Sequence, residues 1–352
     1  MRTYNTLNDL LNSFPTGPPD GITFEIQSAY MKAWPYIPGF YNENGEHRTL
    51  YPRIMVATSG GADSDIVVDI IERIGHPQSE VRYIFYETGM EFDATRRHLT
   101  YLENRYGIQI ERIRAAIPVP LGVRKYGIPF VSKRVSDYTQ RLQKHGFQWE
   151  NAPLSELLRK YPRCQSALRW WCNEWGQGSQ MNIRRHRWLR EFMTKHPPDF
   201  PISDGCCTGA KKASARRVVR DFQPDLNIQG LRKAEKGARA AVYKTCFDSV
   251  TGGPDLYRPI FWFRKADREA YDRVFGIVHS DCYTVYGLTR TGCACCPFGR
   301  DFEAELTAAK EYEPKLYNAA IRVFGPSYEY TRAYRTYVRT MDEKARATGI
   351  DN

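Results

Sequence analysis

The sequence predicts an α/β protein with a doubly wound, mostly parallel sheet, a helical insertion and a helical C-terminal region. Apolar runs typical of buried strands alternate with amphipathic helical segments between residues 51 and 115. This alternation predicts parallel strands joined by right-handed crossovers. The chain has 352 residues, of which 42% are hydrophobic. It is therefore long and apolar enough to form about two domains with buried cores.

The first strand is predicted at residues 54–58, an apolar run that leads into Ser59-Gly60-Gly61. A helix follows, because apolar residues then recur at three- and four-residue spacing until Gly75. Three further strands are predicted at residues 81–86, 108–113 and 226–230. A second helix is predicted at residues 93–106, with Asp93 as its N-cap and Gly107 as its C-terminal glycine. Ligands of such sheets bind at the carboxyl ends of the strands, where Ser59 and Glu87 lie.

Changes in composition along the chain predict five segments. After residue 115 the alternation gives way to a helical, aromatic and basic region that a Pro-rich stretch near residue 200 closes. The segments are an N-terminal extension (1–50), a nucleotide-binding half (51–115), the helical insertion (116–205), a cysteine- and arginine-bearing half of the α/β domain (206–300) and a helical C-terminal region (301–352).

The net charge of +11 is concentrated in two stretches. Residues 159–195 hold nine Lys or Arg against two Asp or Glu, and residues 206–245 hold ten against three. This concentration is typical of proteins that bind a phosphate-rich small molecule or a nucleic-acid backbone, with a solvated basic face as the alternative. Four tryptophans in the first stretch have a helical spacing that favours core positions over base-stacking ones: Trp170, Trp171, Trp175 and Trp188.

The composition also argues against several classes of protein. No window approaches the roughly 18 uninterrupted apolar residues of a membrane helix, and residues 1–15 lack the apolar core of a signal peptide. Nine cysteines is an odd number, which argues against a disulfide framework and favours metal binding or catalysis. We therefore expect a cytoplasmic protein without a membrane contact.

The segment Ser59-Gly60-Gly61-Ala62-Asp63-Ser64 joins the first predicted strand to the first helix. Its two glycines let backbone N–H groups approach a phosphate, and the helix that follows adds its own unpaired donors. The Ser59 and Ser64 hydroxyls can donate to phosphate oxygens. The Asp63 carboxylate repels them, so we expect it to orient the loop or to bind Mg²⁺. An ordinary tight turn is the alternative for a Gly-Gly pair.

The order Ser-Gly-Gly-x-Asp-Ser after an apolar strand resembles the PP-loop of the ATP pyrophosphatase superfamily, also called the adenine nucleotide alpha hydrolases. The segment lacks the Lys of a Walker-type loop. The resemblance implies an adenine nucleotide alpha hydrolase-like fold with ATP bound at residues 59–64. It also implies cleavage between the alpha and beta phosphates, which activates a substrate as an adenylate.

Residues 86–92, Tyr-Glu-Thr-Gly-Met-Glu-Phe, narrow the resemblance further. They look like the Asp-Thr-Gly-x-x-Phe segment of the phosphoadenosine phosphosulfate (PAPS) reductase family, with Glu87 in place of the usual Asp. The resemblance implies that the turn formed by Glu87, Thr88 and Gly89 lies near the adenosine of a bound nucleotide.

Residues 230–239 are similar to the Gly-x-Arg-x-x-Glu-Ser-x-x-Arg segment of the same family, with Lys236 where Ser is common. Arg232 and Arg239 occupy the two arginine positions. Their planar guanidinium groups suit two-point contact with phosphate or sulfate oxygens, and a basic helix surface is the alternative.

The cysteine spacing is the most specific pattern in the chain: Cys206-Cys207, then 85 residues, then Cys293-x-x-Cys296. Four thiolates can ligate zinc or an iron-sulfur cluster. Adjacent cysteines reach one tetrahedral zinc ion poorly, whereas a cuboidal cluster offers them separate irons. The arrangement resembles the four-cysteine 4Fe-4S site of adenosine phosphosulfate (APS) reductases, although Cys293-x-Cys295 remains an alternative pair. The other cysteines are expected to be buried and inert: Cys164, Cys172, Cys246 and Cys282.

One departure from the resemblance bears on the reaction. APS and PAPS reductases carry a nucleophilic cysteine near the C-terminus, whereas this sequence has no cysteine between Pro297 and Asn352. The favoured hypothesis is therefore an ATP-dependent iron-sulfur sulfur-transfer enzyme, similar to the DNA phosphorothioation and tRNA thiolation members of the superfamily. A sulfite-forming APS or PAPS reductase and a non-catalytic nucleotide-sensing or regulatory protein are the alternatives.

This hypothesis assigns catalytic roles to Asp63, Arg232 and Arg239. Its expected cofactors are a 4Fe-4S cluster and Mg²⁺, with ATP, or alternatively PAPS or APS, as the nucleotide substrate. Its expected partners are a nucleic acid (DNA or tRNA) bound through residues 159–195 and 206–245, a sulfur donor protein, and a second copy in a homodimer.

Overall fold

The computed structural model describes residues 6–14, 21–41, 47–76, 78–235 and 242–347. The chain forms two compact units, each assembled from separated stretches. Unit 1 comprises Met1–Glu87, Glu91–Arg114 and Ala213–Gly292, and unit 2 comprises Thr88–Met90, Ala115–Lys212 and Cys293–Asn352. The segment boundaries predicted from composition stay a prediction.

Unit 1 contains a six-stranded sheet with the order β5-β4-β3-β6-β8-β7. Its strands are β3 (Arg53–Ala57), β4 (Glu80–Glu87), β5 (Ile110–Arg114), β6 (Leu226–Gln229), β7 (Phe247–Asp248) and β8 (Asp255–Tyr257). All neighbouring pairs are parallel except β7 and β8, which are antiparallel. A separate antiparallel pair is formed by β1 (Phe40–Tyr41) and β2 (His47–Arg48). The predicted mostly parallel α/β fold is confirmed.

The strand order creates a crevice beside the first predicted strand. From β3 the chain passes to β4 and β5 on one side and later returns to β6 on the other side. Such a switch point opens a crevice at the carboxyl ends of the strands, where α/β proteins bind ligands. The centre of β3 is buried, as the continuous apolar run of a strand covered on both faces requires.

The helix that follows the 59–64 loop buries the apolar stripe predicted from its sequence, which comprises Ile66, Val67, Ile70, Ile71 and Ile74. Six helices have these bounds: α1 (Leu7–Asn12), α2 (Phe24–Ala33), α3 (Ala62–Ile74), α4 (Asp93–Tyr106), α11 (Ala213–Phe222) and α12 (Lys265–Phe275); the short α13 spans Asp281–Thr284. Helix α4 begins at Asp93, but Phe92 takes the N-cap position, so the predicted Asp93 cap is wrong by one residue. Gly107 ends that helix with φ +68°, as predicted.

Unit 2 is helical, as predicted for its two main stretches. Its helices are α5 (Val119–Tyr126), α6 (Lys133–Lys144), α7 (Leu154–Lys160), α8 (Gln165–Trp171), α9 (Leu189–Lys195), α10 (Gly205–Cys207), α14 (Phe302–Tyr312) and α15 (Pro314–Ala347). Trp170 and Trp171 are fully buried, which confirms the core interpretation for these two tryptophans. A π-helical turn, a form frequent at functional sites, spans Thr208–Lys212 directly after α10.

Within the described ranges, no helix combines the length and the apolar character that crossing a membrane requires.

Candidate nucleotide loop and cysteine site

The Ser-Gly-Gly-x-Asp-Ser loop connects β3 to α3 at the carboxyl edge of the sheet in unit 1. Gly60 has φ +65°, and a Cβ atom there would lie 2.9 Å from Cγ2 of Thr95. Gly61 occupies the N-cap position of α3. Glycine is therefore required at position 60 for both its backbone conformation and its close packing.

The Ser64 side chain organises this loop. Its hydroxyl donates to the Gly61 carbonyl at 2.7 Å and accepts from the N–H groups of Gly61 at 3.1 Å and Ser59 at 3.3 Å. The Ser59 hydroxyl in turn donates to the Ser64 oxygen at 3.2 Å. Ser64 therefore sets the loop geometry, and its predicted direct contact with phosphate stays a prediction.

Asp63 lies between two guanidinium groups. Arg232 Nε is 2.8 Å from Asp63 Oδ1, and Arg268 Nη1 is 3.9 Å from the same oxygen. The side chains of Asp63 and Arg232 are each only 12% exposed. A Cβ atom at Gly230 would lie 2.9 Å from the Asp63 carbonyl oxygen. Glycine at position 230 therefore allows the segment that carries Arg232 to approach the backbone of the loop.

This geometry favours the loop-orienting role for Asp63 over direct coordination of Mg²⁺. A carboxylate already paired with arginine is a poor free ligand for a hard cation. Arg268 was not indicated by any motif, because it lies on an ordinary amphipathic helix 205 positions after Asp63. Arg239, the other predicted catalytic arginine, lies outside the described residues.

Two further hydroxyls lie against the loop. The Ala62 N–H donates to the Tyr283 hydroxyl at 3.3 Å, and that hydroxyl lies 3.4 Å from Oγ1 of Thr291. A Cβ atom at Gly61 would lie 2.8 Å from the same Thr291 oxygen. Both residues were missed from the sequence, since no local motif links them to the loop.

A buried ionic group underlies the start of α3. Asp65 is fully buried, and its Oδ2 lies 2.8 Å from His279 Nδ1 and 3.0 Å from His98 Nε2. On its other side, His279 Nε2 lies 3.1 Å from Asp272 Oδ2. Burial lowers the pKa of His279, but hydrogen bonds to Asp272 and Asp65 outweigh it and raise the pKa to about 9. The two carboxylates therefore hold His279 in its charged form at neutral pH.

The adjacent Cys206 and Cys207 thiols of unit 2 are electrostatically coupled. A hydrogen bond from Cys206, together with the charges of Lys133 and Lys211, outweighs the effect of burial and lowers the pKa of Cys207 to about 6. The same hydrogen bond raises the pKa of Cys206, as do burial and the charges of Cys207, Cys296 and Cys293. One thiolate in the pair is the form that this environment favours.

The other two predicted cysteines belong to the same electrostatic group. Burial raises the pKa of Cys296 to about 12, and the charges of Cys293 and Cys207 add to the rise. All four predicted cysteines therefore lie close enough for their charges to couple. Mutual repulsion of this kind is what several thiolates show when no cation compensates them.

Cys295 has a different environment from its neighbours. It is fully buried with φ +57°, its N–H donates to Glu305 Oε2 at 2.7 Å, and its carbonyl accepts from the Tyr328 hydroxyl at 2.5 Å. Burial and the charge of Glu305 raise the pKa of its thiol well above the usual range. The choice between Cys295 and Cys296 as the partner of Cys293 stays a prediction.

Close backbone packing positions Cys206. A Cβ atom at Gly122 on α5 would lie 3.0 Å from Cα of Cys206 and 3.2 Å from its Cβ. Among the described residues, no group of three or more His, Cys, Asp or Glu side chains is placed to hold a single metal ion. Four coupled sulfur donors nevertheless form a donor set of the kind that soft metals and iron-sulfur clusters prefer.

The predicted adenosine-binding turn is divided between the two units. Glu87 ends β4 in unit 1, whereas Thr88 and Gly89 belong to unit 2. Thr88 is buried, and its Oγ1 accepts from the Cys293 thiol at 3.4 Å. Gly89 has φ +84° and packs against Pro118. The structure thus gives Thr88 a contact with the cysteine site that the sequence did not indicate.

Residues 53–167 match the Phosphoadenosine phosphosulfate reductase domain. The resemblance to this family predicted from the sequence is confirmed over that segment, which contains the 59–64 loop and the 87–89 turn. The four cysteines of the predicted site and Arg232 lie beyond the matched residues.

Individual proteins show weaker similarity. An uncharacterized protein of Methanocaldococcus jannaschii is 37% identical over 76 residues, which cover 22% of this chain and 15% of that protein. The match therefore spans less than a fifth of that relative's length.

Two solved structures share low overall similarity with this chain. The PAPS reductase from Candida auris, in a phosphate complex, aligns with a TM-score of 0.37 and 12% identity over 69% of this chain and 82% of that chain. The U34-tRNA thiolase NcsA from Methanococcus maripaludis, with its 4Fe-4S cluster, aligns with a TM-score of 0.36 and 10% identity over 90% of this chain and 80% of that chain.

Proposed function

We propose that this chain is an ATP-dependent iron-sulfur sulfur-transfer enzyme that acts on nucleic acid through an adenylated intermediate. The observation that carries the proposal is the complete Ser-Gly-Gly-x-Asp-Ser loop at the switch point of the sheet, with Arg232 and Arg268 beside Asp63. The same chain carries four electrostatically coupled cysteine thiols. A nucleotide site and a soft-donor site together suit ATP-driven sulfur chemistry.

The loop supplies the groups that an ATP-cleaving site needs. The loop leads into the N-terminus of α3, where the helix dipole favours negative charge. Arg232 and Arg268 would stabilise the charge that develops on the alpha phosphate and on the leaving pyrophosphate. Asp63 would hold Arg232 in place until the nucleotide binds.

The reaction that we propose has two displacement steps. An oxygen of the acceptor attacks the alpha phosphorus of ATP, the bond from that phosphorus to the bridging oxygen breaks, and pyrophosphate leaves. A sulfur nucleophile at the sulfide oxidation level then displaces AMP from the adenylated acceptor. Neither step changes an oxidation state, so no external oxidant or reductant is consumed.

We propose that Cys206, Cys207, Cys293 and Cys296 hold a 4Fe-4S cluster. Their sulfur donors fit the group chemically, and the repulsion between their thiolates would be relieved by the positive irons. When bound, such a cluster supplies a site for sulfur binding. Replacing Cys206 by Ser should abolish iron and acid-labile sulfide incorporation after anaerobic reconstitution, whereas replacing Cys172, which lies outside the coupled group, should not.

A PAPS or APS reductase is the second candidate, because residues 53–167 match a domain of that family. The two candidates predict different products. The sulfur-transfer proposal predicts AMP and pyrophosphate from ATP, with stimulation by the nucleic-acid acceptor. A reductase would release sulfite from PAPS or APS and leave ATP intact.

The test is nucleotide product analysis on the anaerobically prepared full chain, with ATP and PAPS offered in parallel, with and without RNA or DNA. Asp63→Ala should lower AMP formation at least tenfold, because it removes the partner that positions Arg232. Asp221→Ala is the matched control, since Asp221 is an exposed carboxylate of unit 1 outside the loop. Sulfite from PAPS with no AMP from ATP would overturn the proposal.

A further inference from the structure

Unit 2 contains a groove of about 430 Å³ that is distinct from the loop and from the cysteine site. Residues from the basic stretch 159–195 form most of it, and Asn151 adds to the wall. A volume of this size lies within the range of pockets that hold small organic ligands. The charged, aromatic and amide side chains of its lining include Asn173, Arg184, Trp188, Arg190, Glu191 and Lys195.

The lining has an excess of positive charge that the protein leaves uncompensated. Glu191 pairs with Lys195 at 2.7 Å, so these two charges balance each other. In the part of the chain that the structure describes, no carboxylate pairs with Arg184 or Arg190. The Nε of Arg190 is buried without a hydrogen-bond partner. A buried guanidinium N–H without an acceptor is costly, and an anion bound to the same guanidinium would balance the charge of this side chain.

The position of Arg190 is fixed by packing. Its guanidinium lies over the ring of the fully buried Trp171, 5.6 Å from the ring centroid. The exposed Arg184 has its backbone N–H held at 2.9 Å by Oδ1 of Asn173. One cation is therefore rigid and the other is free to reach toward a ligand.

Two lining residues have left-handed backbone conformations, which asparagine tolerates and tryptophan rarely adopts. Asn173 has φ +61° and Trp188 has φ +60°. A hydrogen bond from the Trp188 indole Nε1 to Asp342 Oδ1 at 2.7 Å fixes the indole in this position. Residues held in unfavourable backbone conformations concentrate at ligand sites. Here Trp188 places an indole at the groove.

We infer that this groove binds one nucleotide unit of a single-stranded nucleic acid, with a phosphate on Arg184 and Arg190 and the base against Trp188. The inference rests on the proposed function, and it locates the acceptor on unit 2. Single-stranded segments are recognised by aromatic side chains beside cationic groups, whereas a duplex must first unpair and flip a base to place it in a concave pocket. Trp170 and Trp171 are too deeply buried to serve as base platforms.

The test uses the full chain and fluorescently labelled 20-nucleotide single-stranded RNA, single-stranded DNA and duplex DNA of matched sequence. Anisotropy at several salt concentrations gives the affinity and its salt dependence. Arg184→Ala should weaken single-strand binding about tenfold and reduce the slope of log affinity against log salt by about 1. Arg163→Ala is the matched control, because Arg163 is exposed in the same basic stretch but does not line the groove.

Three results would overturn the inference: no oligonucleotide binding by the unaltered chain, an equal loss in Arg184→Ala and Arg163→Ala, or tighter binding to the duplex than to either single strand. Preference for RNA or for DNA among the single strands would identify the acceptor. Product analysis on the same preparation separates this inference from the proposed function. Specific single-strand binding without AMP formation would reject the sulfur-transfer reaction and leave the groove assignment intact.

Discussion

The partly buried His279 makes a specific contribution to the pH dependence of stability. Its ring lies between the carboxylates of Asp65 and Asp272, at 2.8 and 3.1 Å, and the ring of Tyr283 lies 5.9 Å away. His98 approaches the same Asp65 oxygen from α4. Because the carboxylates favour the protonated ring, folding raises the pKa of His279 from 6.5 to about 9.

The sign and size of the effect follow from this shift. A raised pKa means that the folded state binds the proton more tightly, so the stabilisation is fully present below pH 6.5. It is lost as the pH rises toward 9. Each pKa unit is worth about 1.4 kcal/mol, so the whole shift corresponds to at most about 3 kcal/mol. The side chain is only 14% exposed, so solvent screening reduces this figure little.

The assay is urea unfolding of the unaltered chain and of His279→Gln at pH 6 and at pH 9.5. Hydrogen exchange in α3 reports on unit 1 separately from unit 2. We expect the variant to be less stable by up to about 3 kcal/mol at pH 6, and the gap to close at pH 9.5. Comparing the two proteins at each pH cancels the titration of groups that do not interact with His279.

A gap of the same size at both pH values would refute this reasoning. It would mean that the variant loses packing or shape, and that the charge of His279 contributes nothing. A gap that grows with pH would show that the sign of the shift is wrong.

Three further predictions follow from contacts at the two sites. Gly122→Ala should impair cluster assembly at Cys206 and lower the free energy of unfolding by about 1 to 3 kcal/mol, because the added methyl group would lie 3.0 Å from the Cα atom of Cys206. Iron analysis measures cluster assembly and urea unfolding measures stability. Gly325→Ala is the control, because no atom lies within 4 Å of a methyl group added there. Arg268→Ala should weaken ATP binding about tenfold in calorimetry, because it removes a cation beside the loop. An unchanged affinity would show that Arg268 does not contribute to the nucleotide site. Trp171→Ala should cost about 3 to 5 kcal/mol in thermal or urea unfolding, because the indole is fully buried, and a loss below about 1 kcal/mol would contradict its core position.

Local sequence patterns were enough to predict the strands β3 to β6 and the helices α3 and α4 of unit 1. The apolar run of β3, the Gly-Gly turn and the 3.6-residue periodicity of α3 are each encoded by neighbouring residues, so strand, loop and helix were predicted within one or two positions. The loop's match to a known family follows for the same reason, because its motif is contiguous. Burial of Trp170 and Trp171 was also favoured by spacing alone.

Contacts between distant parts of the chain required the tertiary structure. Arg268 and Tyr283 reach the loop from positions more than 200 residues later, and Asp65 and His279 are separated by 214 residues. No local pattern encodes such a pair, since it depends on how the later helices pack against the sheet.

The same division applies to the cysteines and to the basic stretch. Spacing indicated four cysteines and left Cys295 as an alternative, and only the fold shows that Glu305 and Tyr328 hold the Cys295 backbone. Composition predicted an anionic partner for residues 159–195. Only the fold separates the buried tryptophans from Trp188 and, among the residues that the structure describes, leaves Arg184 and Arg190 without a carboxylate partner. Sequence determines which chemical groups are available, whereas packing decides which of them remain unpaired, and unpaired groups are those that can bind a ligand.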